Sequence, residues 1–208
     1  MKTMAIALAG LLGALAAPPV GALAQTPAPA PLAANPAGEA QAKSFVNTLI
    51  EKLRAVIART DLTEAQKQQA LAEVFQRNLA VRTMGAILLG QNRSLATPEQ
   101  LAEYNRLIPG YLARSFADQI DDLVAQNIVL GEARSSGPQV MVSSSFLRRS
   151  NKQPVRVVWR VVSASGRMQL VDASVNGASK LTVQRSEFGA LVKANGFEAL
   201  LAYLRKGG

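Results

Sequence analysis

The side chains that could do chemistry gather near the C-terminal end of this 208-residue chain: Asp172, Ser179, Lys180, Arg185 and Glu187. A hydrolase built on them would need a nucleophile and a base to activate it. Ser179 is the candidate nucleophile, yet the chain contains no histidine and no nucleophile-elbow pattern surrounds that serine. Lys180 is adjacent, but neighbours in sequence need not face one another. A simpler reading makes Ser179 the cap of a helix, ties Asp172 to Arg185 and lets Phe188 pack. The doublet Asp121-Asp122 reads as a solvated helix face, because one acidic pair cannot make a metal site. Cysteine is absent as well as histidine. Zinc sites of the Cys/His type, Ser-His-Asp and Cys-His catalysis are therefore excluded, and no disulfide supports the fold. The expectation is a protein that is not an enzyme, has no cofactor or metal, and works by binding.

Its charge narrows what it could bind. The formal net charge is +9. A basic balance suits nucleic acid, an anionic membrane surface or acidic partners. The N-terminus chooses among them. Lys2 precedes an apolar run at 4–15, Pro18-Pro19 breaks it, and Ala22-Leu23-Ala24 precedes Gln25. This is the pattern of an export signal cleaved after Ala24. The run is shorter than the ~20 residues of a membrane span. No cysteine stands at the start of the mature chain, which argues against a lipoprotein. The expected location is the bacterial periplasm, so nucleic acid is not an expected partner. The basic stretch Arg148-Arg149-Ser150-Asn151-Lys152 could bind phosphate or an acidic docking surface, or be an ordinary solvated turn. Arg205-Lys206 complements a helix C-terminus.

These residues need a scaffold, and the sequence lays one out. Residues 25–39 are rich in Ala and Pro and read as a disordered leader, so that 1–24, 25–39 and 40–208 are signal, leader and a single domain. Phe45, Leu49, Leu53, Val56 and Ile57 form a helical stripe. Thr63 with Gln66 opens a second helix, and Asn78 is placed to cap an apolar segment ending at Gly90. Thr97-Pro98-Glu99-Gln100 opens a long helix expected to reach about 126, bent at Pro109-Gly110. After Asn127 the period changes to two, with strands expected at 129–136, 139–147, 154–163 and 167–176. Short connections make them antiparallel. Helices at 180–194 and 197–205, parted by Asn195-Gly196, finish an α+β chain.

One face of the third strand is wholly apolar: Val155, Val157, Trp159 and Val161. Val140, Val142, Ser144 and Phe146 share a face of the second. An antiparallel sheet covered by helices either fills its interior or encloses an apolar pocket, and alternation alone does not separate the two.

Trp159-Arg160, Gly166, Asp172, Asn176-Gly177-Ala178-Ser179, Arg185-Ser186-Glu187-Phe188, Gly196 and Leu200-Leu201 form a pattern. So do Leu88-Leu89-Gly90, Ala96-Thr97-Pro98-Glu99-Gln100 and residues 111–120. Together they resemble the MlaC, or toluene-tolerance, family of periplasmic lipid carriers, which has a hopanoid-associated branch. The resemblance spans about 45–205 and implies that 40–208 is a lipid-binding domain. It implies a curved four-stranded NTF2-like sheet covered by helices, with an N-terminal helical subdomain, and acyl chains between sheet and helices. On that basis Val81, Leu88, Leu112, Phe116, Val142, Val157 and Trp159 are expected at the lipid, and Arg148, Arg149 and Lys152 at headgroups or docking partners. The implied ligand is a phospholipid, or a hopanoid in the related branch. The implied partners are an inner-membrane MCE-domain protein of an ABC transporter and an outer-membrane lipoprotein complex. The other reading is a protein-interaction module that carries no lipid. The chain departs from the family pattern at Arg93, Asn176, Ala178 and Lys180.

Overall fold

A computed structural model describes residues 35–118, 127–148 and 151–207. The expected signal at 1–24, most of the expected leader, residues 119–126 and Arg149 lie outside the described residues. Helix α1 spans Pro36–Ile57. It starts earlier than the leader boundary at residue 39 because its first turn is well capped. The Asn35 side chain accepts from the Gly38 N–H, and Pro36 supplies a preset φ at the entry. Glu39 then accepts two hydrogen bonds of 2.8 Å from the Ser135 N–H and hydroxyl, which anchors this turn to the sheet. The buried stripe is Ala42, Val46, Leu49, Ile50 and Leu53, with Phe45, Val56 and Ile57 half-buried beside it.

Helix α2 (Glu64–Asn78) carries the expected capping box of Thr63 and Gln66. Asn78 does not cap the next segment. It ends α2, where its side-chain amide donates to the Val74 carbonyl at 2.6 Å. Helix α3 (Val81–Leu89) follows with no side-chain cap, held instead by the Ala80 N–H donating to the Leu170 carbonyl. A 3₁₀ turn over Gly90–Leu95 leads to α4 (Pro98–Ala117), which has the second expected capping box and runs through Pro109.

The strands are β1 (Val129–Ser136), β2 (Gln139–Leu147), β3 (Pro154–Ala164) and β4 (Arg167–Val175), with a two-residue β5 (Ala178–Ser179) that alternation did not signal. They pair antiparallel in chain order as an open sheet. Alternation holds on β3, where Val155, Val157, Trp159 and Val161 are all buried. On β4 it breaks: Leu170, Val171 and Asp172 are buried in succession. The register explains this. Val161 faces Leu170 while Arg160 faces Asp172, so Val171 is an extra residue in a bulge. Beyond the bulge, Ala173 faces Trp159 and Val175 faces Val157. A second bulge interrupts β1 between Leu130 and Ala133.

Helix α5 (Lys180–Lys206) closes the fold. It is two helical pieces joined at Gly196, whose φ of 79° and ψ of 172° only glycine adopts without strain. Helix α1 covers β1 and β2, while α5 packs against α3, α4 and β4. Arg205 ties the end of α5 to α4 through paired 2.9 Å hydrogen bonds to Glu103, and it also reaches Glu198.

A pocket between the sheet and the last helix

The pocket forms where β3–β5 turn into α5 and the end of α4 crosses above them. Alternation points Trp159 of β3 and, past the bulge, Ala173 and Val175 of β4 toward the helices. Helix α4 contributes Tyr111, Ser115 and Phe116, which lie close together on one helical face. Helix α5 contributes Lys180, Val183, Gln184, Glu187 and, across its kink, Tyr203. The space measures about 430 Å³ and opens to the surface beside Val183, which is half exposed.

Its walls are organised by a few hydrogen bonds. The Trp159 indole N–H donates to the Ser144 hydroxyl at 2.9 Å, which fixes the ring, and Ser144 leans on the Val157 carbonyl. Tyr111, Phe188 and Tyr203 form an aromatic cluster with centroids 5.4 to 6.2 Å apart. Burial pushes the Tyr111 phenol well above its ordinary range, and the neighbouring Tyr203 and the charge of Glu187 add to this. Tyr111 is therefore a neutral wall group. Gln184 is buried and donates to the Ser115 hydroxyl at 2.5 Å and to the Tyr111 oxygen at 3.2 Å. The Lys180 ammonium lies 5.6 Å from the centre of the Phe116 ring. Burial lowers its pKa, and the charges of Asp118 and Glu187 oppose that shift.

The polar cluster singled out for chemistry is arranged for support. The Ser179 hydroxyl donates to Asp172 at 2.6 Å and accepts from the Thr182 N–H at 3.0 Å, so it caps α5 as expected. Asp172 also accepts from the Leu181 N–H and pairs with Arg160 at 3.5 Å. Its ionic partner is thus Arg160 and not Arg185. The Arg185 guanidinium instead lies over Gly90, close enough that a Cβ at that glycine would come within 2.9 Å of it. Gly90 has a φ of 50°, which independently favours glycine. No group of three or more acidic, histidine or cysteine side chains gathers at one point among the described residues.

Of the seven residues expected at a lipid, Phe116 and Trp159 stand in the pocket wall. Leu88, Leu112, Val142 and Val157 are fully buried in the core and are not part of that wall, and half-buried Val81 packs on the core at the start of α3. Apolar periodicity marks what faces inward. It does not mark where the packing stops short of closure. Sequence reasoning left Lys180, Gln184 and Tyr203 out of the site. The polar residues Ser115 and Gln184 on otherwise apolar inward faces were the available signal. Arg148 and Lys152 are exposed on the β2–β3 hairpin, closed by 2.9 Å bonds from the Arg148 N–H to the Gln153 carbonyl and from the Lys152 N–H to the Arg148 carbonyl. A second hollow of about 520 Å³ lies against β1–β3 with Glu132, Arg134 and Arg156 in it. Only sheet residues line it, so no second layer covers it among the described residues.

An open antiparallel sheet that meets helices on one face, with a pocket left between the layers, defines an α+β pocket-forming fold. The MlaC protein family matches residues 43–206, most of the described fold, and the chain belongs to that family. The fold is also that of the phospholipid-binding protein from Ralstonia solanacearum, solved in complex with a phospholipid. The two are 22% identical and superpose with a TM-score of 0.66 over 80% of this chain and 96% of that one.

Proposed function

We propose that the protein is a periplasmic lipid carrier that binds acyl chain in the pocket between α4, α5 and the sheet and moves lipid between the inner and outer membranes without changing it covalently. The observation that carries this is the apolar wall of Phe116, Trp159, Ala173 and Val175, left open to the surface in a fold of the MlaC family. The polar groups around it support binding over catalysis, because Ser179 is committed to capping and Asp172 to an ion pair.

Desolvation explains why such lipids need a carrier. Burying a methylene is worth about 0.8 kcal/mol. A tail of about fifteen methylenes therefore opposes release into water by on the order of 12 kcal/mol. Spontaneous exchange is negligible against that barrier, so the carrier docks and hands the tail across a covered path. The N-terminal 24 residues serve as the export signal in this reading. An inner-membrane MCE-domain protein of an ABC transporter and an outer-membrane lipoprotein complex are the docking partners. Leu88, Leu112, Val142 and Val157 form the floor on which the pocket wall rests, with Val81 at its edge. Arg148, Arg149 and Lys152 supply a basic surface for docking.

Organic extraction of the protein purified from its native compartment, followed by lipid mass spectrometry, tests this. A lipid recovered in near-equimolar amount is expected. Protein that emerges without lipid, and takes none up from liposomes, removes the carrier reading and leaves a protein-interaction module.

A further inference from the structure

We propose that one end of the sheet, built by the start of β1, the end of β2 and the start of β3, docks directly on an anionic phospholipid bilayer. Val129 and Leu147 enter the interface, and Arg148, Lys152 and Arg156 meet lipid phosphates. This extends the carrier reading and rests on it for the purpose of the contact, though not for the contact itself.

The first support is where apolar side chains are left in water. Four large ones are exposed among the described residues: Leu95, Val129, Leu147 and Val183. Two of them share this end of the sheet. Val129 pairs with Ser145, and Leu147 lies two residues further along the same strand, on the face turned away from the helices. Such diagonal neighbours lie about 7–8 Å apart. They are 65% and 58% exposed, so nothing in the chain covers them.

The second support is charge. The stretches that form this end are 127–131, 145–156 and 173–180, and they hold no Asp or Glu. Their charged residues are Arg148, Arg149, Lys152, Arg156 and Lys180. Arg148, Lys152 and Arg156 are exposed and form no ion pair among the described residues. Aliphatic tips ringed by Lys and Arg suit the interface of an anionic membrane. A second copy of the chain would set like charges against each other, which disfavours self-association through this surface.

The third support is the neighbouring pocket. Ser145 pairs with Arg156, whose N–H donates to the Asn176 side chain at 2.9 Å and whose carbonyl accepts from the Asn176 N–H at 2.8 Å. Asn176 and Gly177 form the turn between Val175 and Ala178, and both of those residues line the pocket. Val183, the third exposed apolar residue, stands at the same opening. The cations and the pocket rim thus share one end of the sheet. A bilayer contact there sets the opening against the surface that supplies or receives the acyl chain. An acidic protein would meet the cations alone.

Flotation of the full-length exported protein with vesicles tests the inference, using phosphatidylcholine alone and phosphatidylcholine with about 30% phosphatidylglycerol. Binding to the anionic vesicles should be at least tenfold tighter at low salt. Arg148→Gln, Lys152→Gln and Arg156→Gln combined should remove that preference. Lys43→Gln, Lys52→Gln and Arg82→Gln, which lower the net charge equally at other exposed positions, should leave it intact. Equal losses in the two triple variants would mean attraction by net charge alone, and the inference fails. Leu147→Trp should show a blue-shifted, lipid-quenched emission on anionic vesicles, while Leu95→Trp should not; the buried Trp159 is a constant background. Unshifted emission from Leu147→Trp would also overturn the proposal. So would wild-type protein that ignores both vesicles, which would leave this end for an acidic protein. Lipid carried by the purified protein is measured separately. Its absence would end the carrier reading, whereas failure on vesicles by protein that holds lipid ends only the docking inference.

Discussion

Val157 and Val175 face each other across the β3–β4 ladder, yet they belong to different environments. Val157 is wholly buried, whereas Val175 is half-buried and lines the pocket. A carboxylate placed at each should therefore have different effects. Val157→Glu puts an unpaired charge where neither water nor a counter-ion reaches. We expect a loss of about 4 kcal/mol or more in urea unfolding, large enough to leave little folded protein. Val175→Glu can turn its charge toward the pocket opening, so it should fold with a melting temperature near wild type and retain no acyl chain. Equal stability losses for the two would mean that the pocket wall is ordinary core. Gly90 makes a second residue-scale test. Its φ of 50° and the guanidinium of Arg185 both oppose a side chain. Gly90→Ala should cost about 1–3 kcal/mol in thermal or chemical unfolding. Arg185→Ala in the same background should recover only the part due to contact, not the part due to backbone strain.

At the scale of elements, a carboxylate helps to anchor the first helix to the sheet beside its buried apolar stripe. Glu39 accepts from both the hydroxyl and the N–H of Ser135. These bonds, with the nearby charge of Arg134, hold its pKa below the usual value of 4.5, the side-chain bond being the largest cause. A carboxylate depressed in the folded state stabilises that state above its unfolded pKa. The contribution disappears as pH falls through the folded pKa. Melting temperature should therefore drop with acidification below about pH 4.5 in wild type, and drop less in Glu39→Gln. The difference between the two proteins should be constant from about pH 6 to about pH 8, where the carboxylate is fully ionised in both states. Parallel curves across the acid range would place the attachment of α1 in its apolar stripe alone.

At the scale of the whole molecule, the proposed carrier role separates tail burial from docking. The pocket lies between α4, α5 and the sheet, while Arg148 and Lys152 stand on the β2–β3 hairpin. With a net charge of +9, association with acidic partners or anionic membranes should slow as salt rises. Reversing Arg148 and Arg149 to Glu should slow lipid transfer severalfold at low salt and leave the bound lipid in place. The rates of the two proteins should converge near about 0.5 M salt, where the screening length is about 4–5 Å. Transfer from donor to acceptor liposomes, followed by fluorescence, gives both rates. Identical rates at low salt would make the hairpin an ordinary turn.

Much of the architecture was legible because local rules set it. The two Thr–Gln capping boxes, the strands from 129 to 175, the apolar face of β3 and the break at Gly196 follow from hydrogen-bonding partners a few residues away or from a fixed side-chain period. The absence of histidine and cysteine likewise removed whole classes of chemistry on composition alone. What the sequence by itself could not decide was which inward-facing residues meet one another and which meet open space. Leu112 and Phe116 share one face of α4, but the first is sealed in the core and the second stands in the pocket wall. The bulge at Val171 also lay beyond alternation, since it reverses the parity of β4 only when the strand pairs with β3. Asp172 found Arg160 rather than Arg185 for the same reason: pairing across a ladder is set by register, a long-range property. A pocket is the space that packing leaves unfilled. It is decided by the relative placement of three elements, and no single segment carries that information.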